Sequence, residues 1–441
     1  IHSRFYQEGI IILENSTLIK SGVNGNSFLK IYIFIKLYDK NMKILVLTSI
    51  YKGPDISDEF TPIVHYFAKE WKSEKHDILV IHNLPYYHRI FYFISFFFRK
   101  VIANLTGTNI PEKRLSKKID YQLDDINIIR LPIYKAIPYL KFKNKILKRQ
   151  LDSIYRKLDD YDFKPDIIIG HWGNPQLKLL KSMKIKLNPV KTVLTLHYDG
   201  KKLYKTYKKS FYDDLNHIDL LGFRNKSDRA SFLQNNKSID LHTFLCPSGI
   251  PNYFTSSENI NINSNFNSFI FVGSLIKRKY PDIIIDALFN AFNFNFKMTF
   301  IGSGLLMNDI SDRINKLNLR SVKLFNKLDR KQVMTQLDLA DCFIMISEGE
   351  AFGLVYLEAM SRGCITICSA NEGMDGIIID GFNGFLCKSG NQFELECKLI
   401  QISKLSNAER IKVKTNAIKT AREYTDKKIA IKYLEAITEI L

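Results

Sequence analysis

Short apolar runs alternate with longer segments of helical period from Lys43 onward. Continuous runs of Ile, Val, Leu and Phe are typical of strands buried on both faces of a parallel sheet, with helices covering it. The pattern therefore predicts an α/β fold. The predicted strands are Ile44–Leu47, Ile78–His82, Ile126–Arg130, Ile167–Ile169, Val193–His197, Phe269–Val272, Met298–Ile301, Val322–Phe325, Cys342–Ile346, Ile365–Cys368 and Gly384–Cys387.

These strands fall into two series separated by the polar, Asn-rich stretch 256–268, which has too little apolar content for a core and predicts a linker. We expect two Rossmann-like domains, 42–255 and 269–420, facing one cleft. The last segment has helical period and no predicted strand, so residues 421–441 are predicted to pack back across the domains as a helix. Ligands of such sheets bind outside the carboxyl ends of the strands.

The chain begins with Ile1, whereas the run starting at Met42 resembles a first strand that follows a start codon. Residues 1–41 are therefore interpreted as an upstream extension or a truncated leader. No stretch reaches the ~20 apolar residues that span a bilayer, so no transmembrane anchor is expected. The six cysteines form neither a Cys-x-x-Cys pair nor a zinc spacing, which is typical of a reducing cytosol.

The net charge of +19 and the isoelectric point near 9.4 would attract nucleotide phosphates, nucleic acid or an acidic membrane. Part of this excess is attributed to an AT-rich genome, since Lys, Asn, Ile and Phe are all abundant. No recognisable nucleic-acid-binding module accompanies the charge, so no nucleic-acid partner is predicted.

The most informative motif is Ser347-Glu-Gly-Glu-Ala-Phe-Gly-Leu-Val-Tyr-Leu-Glu-Ala-Met-Ser-Arg-Gly, in which seven residues separate Glu350 from Glu358. It follows a predicted strand, and a helix is predicted to begin near Gly353. The free N–H groups of that helix end would hold a phosphate, with the carboxylates accepting hydrogen bonds from hydroxyls. The alternative is a helix N-terminal charge beside one solvated glutamate.

This motif resembles that of the family-4 retaining glycosyltransferases (glycosyl transferases group 1). The resemblance implies that Glu350 contacts the donor sugar, that Glu358 contacts the nucleotide ribose, and that Phe352, Gly353 and Leu354 form the phosphate turn. It also implies the two-domain GT-B architecture.

A second segment, Phe271-Val-Gly-Ser-Leu-Ile-Lys-Arg-Lys-Tyr-Pro-Asp, resembles the part of the family that carries a phosphate-binding lysine, matched here by Lys279. Gly273 fits the family pattern, but Ser274 stands where the family has arginine. Either Arg278 or Lys277 supplies the missing charge, or the donor phosphate is held less tightly than in the family. The alternative is a solvated lysine in a basic run.

Gly302-Ser-Gly304 resembles a family turn near the nucleotide, and Glu372-Gly-Met-Asp-Gly376 is assigned a structural role.

In the first domain, His197 lies at the carboxyl end of a predicted strand, where the resemblance implies a contact with the donor sugar. His171 lies at another strand end and is interpreted as either lining the cleft or packing. No pair of aspartates follows a strand with metal-ligand spacing, so no obligatory divalent ion is predicted.

The stretch 86–100 places aromatic residues between basic ones, which suits either a membrane interface or a large buried helix. An interfacial segment would favour anionic lipid and a lipid-linked acceptor.

The resemblance thus implies a retaining glycosyltransferase, expected in the cytoplasm or at the inner face of the cytoplasmic membrane. It would move a hexose-type sugar from a UDP- or GDP-sugar to a glycan or lipid-linked acceptor in bacterial surface polysaccharide synthesis. The rival hypotheses are an epimerase or phosphorylase of the same architecture, a basic non-catalytic binding protein, and an inactive transferase relic.

Overall fold

A computed structural model describes residues 41–56, 62–93, 113–137, 141–197, 209–236, 241–255 and 266–441. Residues 1–40 of the predicted extension, most of the predicted linker and the second half of the aromatic and basic stretch lie outside these described residues.

Among the described residues, eight strands form the first sheet, in the order β10-β9-β8-β7-β1-β2-β5-β4. All neighbours are parallel except β4 and β5. The strands are β1 (Lys43–Thr48), β2 (Asp77–His82), β4 (Ile119–Leu123), β5 (Ile126–Arg130), β7 (Ile167–His171), β8 (Lys191–Thr195), β9 (Leu220–Phe223) and β10 (His242–Leu245), with β3 (Pro85–Tyr86) and β6 (Ile133–Tyr134) pairing separately. The accompanying helices are α1 (Ile63–Ser73), α2 (Asn144–Asp160), α3 (Gln176–Lys186), α4 (Lys209–Leu215), α5 (Lys226–Asn235) and α6 (Asn252–Thr255).

Successive residues of β1 are apolar because the strand is covered on both faces. Leu45 and Leu47 enter one buried cluster, while Ile44 and Val46 enter a second cluster on the opposite face. Successive side chains of a strand point to opposite faces, so a strand covered twice has no polar alternation. The same physical reason explains the runs in β2 and β7.

The second sheet has the strand order β13-β12-β11-β14-β15-β16, and all its pairs are parallel. Its strands are β11 (Ser268–Val272), β12 (Lys297–Ile301), β13 (Val322–Phe325), β14 (Cys342–Met345), β15 (Ile365–Ser369) and β16 (Phe385–Cys387). Its helices are α7 (Pro281–Phe292), α8 (Met307–Lys316), α9 (Arg330–Asp338), α10 (Leu354–Ser361) and α11 (Gln392–Ser403), followed by α12 (Asn407–Arg422) and α13 (Asp426–Thr438).

The final helix returns to the first domain. Helix α13 packs against α1, and the indole nitrogen of Trp71 donates to the carbonyl oxygen of Ala430 at 3.1 Å. The hydroxyl of Tyr433 lies 2.5 Å from that of Thr195 in β8. The predicted return of the C-terminal segment across the domains is confirmed, and this helix begins at Asp426.

The predicted two-sheet α/β architecture is confirmed, but three strands of the first sheet were missed: β4, β9 and β10. Strand β8 covers Lys191–Thr195 rather than Val193–His197, so His197 lies two residues beyond its end. Strand β14 ends at Met345, which leaves Ile346 in the following loop. Within the described ranges, no helix is both long and apolar enough to cross a membrane.

Candidate active site

Two strand-end loops meet where the order of the second sheet reverses. The strands β11 and β14 are neighbours, yet the chain continues from them toward opposite edges of the sheet. A crevice forms at such a point outside the carboxyl ends of the strands, which is where α/β sheets bind ligands. The loop after β11 carries Gly273 and Lys279, and the loop after β14 carries Glu350 and Gly353.

The loop after β14 exposes the start of helix α10. Gly353 is its N-cap residue with φ of +81°, and a Cβ there would lie 2.5 Å from the ring of Tyr356. Only glycine fits such a position without strain. No side chain caps the helix, so its first N–H groups and its positive dipole end remain available to an anion. Leu354 is the first helical residue, in agreement with the predicted helix start.

Two cations face Glu350. Its carboxylate oxygen Oε2 lies 3.4 Å from Lys279 Nζ and 3.3 Å from Arg278 Nη1. Burial alone would raise the pKa of Glu350, but Lys279 and Arg278 hold it below its ordinary value. Burial lowers the pKa of Lys279, and the carboxylate of Glu350 opposes that shift. The cluster holds two positive charges and one negative charge beside an anion-binding helix end.

The glycines of this crevice allow its loops to approach each other. A Cβ on Gly302, whose φ is +150°, would collide with the carbonyl of Gly273. A Cβ on Gly273 would lie 3.2 Å from Lys279 Nζ. Ser274 is exposed, as is Lys277, whereas Arg278 reaches Glu350. Of the two residues expected to supply the missing charge, Arg278 is therefore the one that the fold brings to the site.

Glu358 occupies a different environment on the same helix. It is 6% exposed, and its Oε1 lies 3.0 Å from Arg330 Nη2 at the start of α9. Burial raises the pKa of Glu358, while Arg330 counteracts this effect. Arg330 also donates through Nη1 to the hydroxyl of Tyr66 in the first domain, at 2.7 Å. The two glutamates thus have separate cationic partners.

His197 of the first domain lies buried two residues beyond the end of β8. Its Nε2 lies 3.0 Å from His171 Nδ1, and its ring stacks on Trp172 with a centroid distance of 4.2 Å. Burial, then the nearby charge of Arg224, lowers the pKa of His197 well below its ordinary value. The same causes lower the pKa of His171 to about 3. Both rings are therefore neutral at physiological pH, and His197 can offer an uncharged hydrogen-bonding edge.

His171 packs rather than lines the cleft. It is fully buried, and its ring stacks on Phe67 and meets Tyr433 edge-on, with centroid distances of 5.9 and 6.1 Å. This settles the two interpretations in favour of packing. Through its contact with His197, the buried ring of His171 supports the position of the His197 ring.

Several contacts of the site were not predicted. The carboxylate of Glu372 accepts from the backbone N–H of Glu350 at 3.0 Å, and Gly373 lies against Phe352. The structural role assigned to this turn thus extends to positioning the motif itself. Asn225 of the first domain donates to the carbonyl of Ala351 at 2.9 Å.

The aromatic and basic stretch is described only in its first part. Tyr87 is buried, whereas Ile90 and Phe93 are 53% and 69% exposed. The cysteines at 364 and 368 are buried core residues with free thiols, as the apolar run around them indicates. In the described ranges no group of three or more His, Cys, Asp or Glu residues could hold a metal ion.

Solved structures share this fold. The sucrose-phosphate synthase of Thermosynechococcus elongatus is 16% identical, with a TM-score of 0.64 over 90% of this chain and 98% of that one. The Anabaena protein Alr3699/HepE, in complex with UDP and glucose, is also 16% identical, with a TM-score of 0.59 over 90% and 100%. Two facing Rossmann-like domains with a crossing C-terminal helix define the GT-B class of glycosyltransferase folds.

Residues 252–423 match the family described as "Glycosyl transferases group 1". An uncharacterized glycosyltransferase of Methanocaldococcus jannaschii is 27% identical over 277 residues, covering 63% of this chain and 74% of that protein. The resemblance noted from the Glu350 and Glu358 motif is confirmed for residues 252–423, the part of the chain that the family model covers.

Proposed function

We propose that this glycosyltransferase transfers a hexose-type sugar from a UDP- or GDP-sugar with retention of anomeric configuration and without an obligatory metal. The observation that carries the proposal is the position of Lys279 and Arg278. Both cations lie beside Glu350 at the uncapped start of helix α10. Negative charge develops on a diphosphate as the glycosidic bond breaks, and preorganised cations stabilise that charge.

The protein performs little covalent chemistry in this proposal. Lys279 and the N–H groups of α10 hold the diphosphate, and Glu350 orients the sugar through its hydroxyls. Neutral His197 contacts the sugar from the first domain, and Glu358 accepts from the ribose. Closure of the two domains excludes water, which would otherwise hydrolyse the donor.

For the acceptor, we propose a glycan or a lipid-linked saccharide of bacterial surface polysaccharide synthesis, at the inner face of the cytoplasmic membrane. The exposed side chains of Ile90 and Phe93 and the net charge of +19 support contact with anionic lipid. Flotation with phosphatidylglycerol vesicles tests this: binding should be lost at high salt and weakened by Ile90→Ser. Equal recovery with neutral vesicles contradicts the proposed anionic contact.

The central experiment incubates the protein with a panel of UDP- and GDP-sugars and measures nucleoside diphosphate release. One donor should be turned over by the wild type, and release should be abolished in both Glu350→Ala and Lys279→Ala. Proton NMR of the product reports the anomeric configuration, and excess EDTA reports the metal requirement. No turnover with or without a lipid-linked acceptor would favour the non-catalytic binding protein or the inactive relic.

A further inference from the structure

Arg224 and Asn225 of the first domain contact the loop that carries Glu350. Asn225 donates through Nδ2 to the carbonyl of Ala351 at 2.9 Å. The guanidinium carbon of Arg224 lies 5.5 Å from the centre of the Phe352 ring. Two successive residues of the first domain thus contact Ala351 and Phe352 of the second domain. These two residues directly follow Glu350, the glutamate that faces Lys279.

The side chain of Asn225 has a fixed orientation because it caps helix α5. Its Oδ1 accepts from the backbone N–H of Asp228 at 2.7 Å, and its Nδ2 donates to Asp228 Oδ2 at 2.7 Å. An amide nitrogen carries two hydrogens, so the second one is left for Ala351. Asn225 is 5% exposed, and water therefore competes little for this bond.

Among the described residues, two further backbone N–H groups of this loop bond within the second domain. Glu348 donates its N–H to the carbonyl of Arg278 at 2.8 Å, and Glu350 donates its N–H to Glu372 at 3.0 Å. The carbonyl of Ala351 is thus where the first domain holds the loop by a hydrogen bond. Beside it, Lys226 occupies the space where a Cβ of Gly376 would lie.

The contact of Arg224 adds an independent attachment. Arg224 is 2% exposed, and no ion pair among the described parts of the chain includes it. Its guanidinium instead bonds Ser248 and faces the ring of Phe352. Cation–π contacts gain strength when they are desolvated, so this one favours the closed position of the loop.

We propose that Asn225 is a positioning residue of the transfer reaction: its amide places Glu350 relative to His197 when the two domains are together. The inference rests on the proposed function, since only there do Glu350 and His197 contact the same sugar. Asn225 touches neither substrate in this scheme. Its contribution is to couple the acceptor-side domain to the loop that orients the donor.

The test uses Asn225→Ser with Asn391→Ser as the matched control. Serine is a good N-cap residue, so the cap of α5 is retained, but its hydroxyl is too short to reach Ala351. Asn391 caps α11 in the same manner, accepting from the N–H of Glu394 at 3.0 Å and donating to Glu394 Oε1 at 3.2 Å. Both of these bonds remain inside the second domain.

Four quantities are measured for both variants: kcat and KM for the UDP- or GDP-sugar that the wild type uses, affinity for the free nucleoside diphosphate, the thermal midpoint, and amide hydrogen exchange of residues 350–353. Asn225→Ser should lower kcat/KM by about 2- to 13-fold, the range that one net hydrogen bond supplies. Exchange in the loop should be faster. Nucleotide affinity should match that of Asn391→Ser, because the proposed function places the nucleotide on the second domain. The thermal midpoint should match too, because each variant keeps the N-cap of its helix.

Equal turnover of the two variants beside an active wild type overturns this inference alone, as does unchanged loop exchange in Asn225→Ser. A parallel loss of nucleotide affinity or of thermal stability in Asn225→Ser also overturns it, because the effect would then be structural. Absence of turnover in the wild type overturns the proposed function, and this inference with it.

Discussion

Arg330 and Glu358 lie 3.0 Å apart at the junction of helices α9 and α10, and the same guanidinium donates to Tyr66 of the first domain. The carboxylate proposed to bind the ribose is therefore buried beside a cation that also bridges the two domains. Removing one member of a buried ion pair costs more free energy than removing one member of an exposed pair, because the remaining charge is left desolvated. Substitutions of Arg330 or Glu358 should therefore weaken nucleotide binding more than they lower kcat.

Glu358→Gln is expected to weaken nucleoside diphosphate binding by about 13- to 160-fold, because a hydrogen bond to a charged acceptor is worth ~1.5–3 kcal/mol. Calorimetry with the diphosphate and its 2′-deoxy analogue checks the cause. The wild type should discriminate between the two ligands, and Glu358→Gln should discriminate less. Tyr66→Phe removes the bond to Arg330 without changing Glu358, so it should keep the discrimination. If Glu358→Gln discriminates as the wild type does, Glu358 does not bind the ribose.

Lys279→Met should lower kcat by about 100- to 1000-fold, the loss typical for removal of one preorganised group that stabilises developing charge. Steady-state kinetics with the donor identified from the panel provide the measurement. Lys277→Met is the control, since Lys277 lies in the same short turn and is exposed. A comparable loss in both variants would show that the charge of the whole basic run matters, and not the place of Lys279.

Asp426→Asn should stabilise the protein above pH 7. Burial, with Glu70 and Glu358 nearby, raises the pKa of Asp426 to about 7 against the opposing charge of Arg330. The unfolded chain releases this proton near pH 4, so charging Asp426 costs folding free energy progressively between about pH 4 and pH 7. The gain should be absent at pH 4 and at most about 4 kcal/mol at pH 8.

Urea unfolding of Asp426→Asn at several pH values measures this gain. Asp282→Asn is the control, because Asp282 also lies in the first turn of a helix but is exposed. A gain of Asp426→Asn that is the same at pH 4 and pH 8 would argue against the raised pKa.

The two neutral histidines predict a loss of stability in acid. The unfolded chain binds a proton at His171 near pH 6.5, whereas in the folded state the pKa is about 3. Stability is therefore complete above pH 6.5 and falls between pH 6.5 and 3, by about 1.4 kcal/mol per pH unit for one such histidine. His171→Gln should show a shallower decline in chemical unfolding, and substitution of exposed His242 should leave the slope unchanged.

Much of the fold could be predicted from the apolar runs. Strands that are covered on both faces are apolar at successive positions, so they are easily recognised in the sequence. Strands β4 and β10 were missed because their side chains are at most partly buried, and β9 because Gly222 interrupts its apolar run. In the site, Glu350, Lys279 and Gly353 belong to local motifs and were predicted. The pairing of Arg330 with Tyr66 joins positions 264 apart, which no local pattern encodes.

The sequence offered one usable signal for the missed contacts. Asn225 precedes an acidic residue three positions later, which is typical of a helix N-cap. A cap of this kind fixes an amide at the end of a strand, which is where cleft residues lie. The partner of that amide, Ala351, depends on how the domains meet and has no signature of its own.

The return of helix α13 makes the first sheet depend on residues 426–438, which follow the whole second domain in sequence. Ile429, Tyr433, Leu434 and Ile437 belong to the same buried cluster as Ile44 and Trp71. A gene fragment that ends after β10 would encode every strand of that sheet yet leave a wide apolar face open to water. Producing the first half alone would require residues 424–441 to be grafted onto it, and a stop codon near residue 424 would inactivate the protein by unfolding the half farthest from it in sequence.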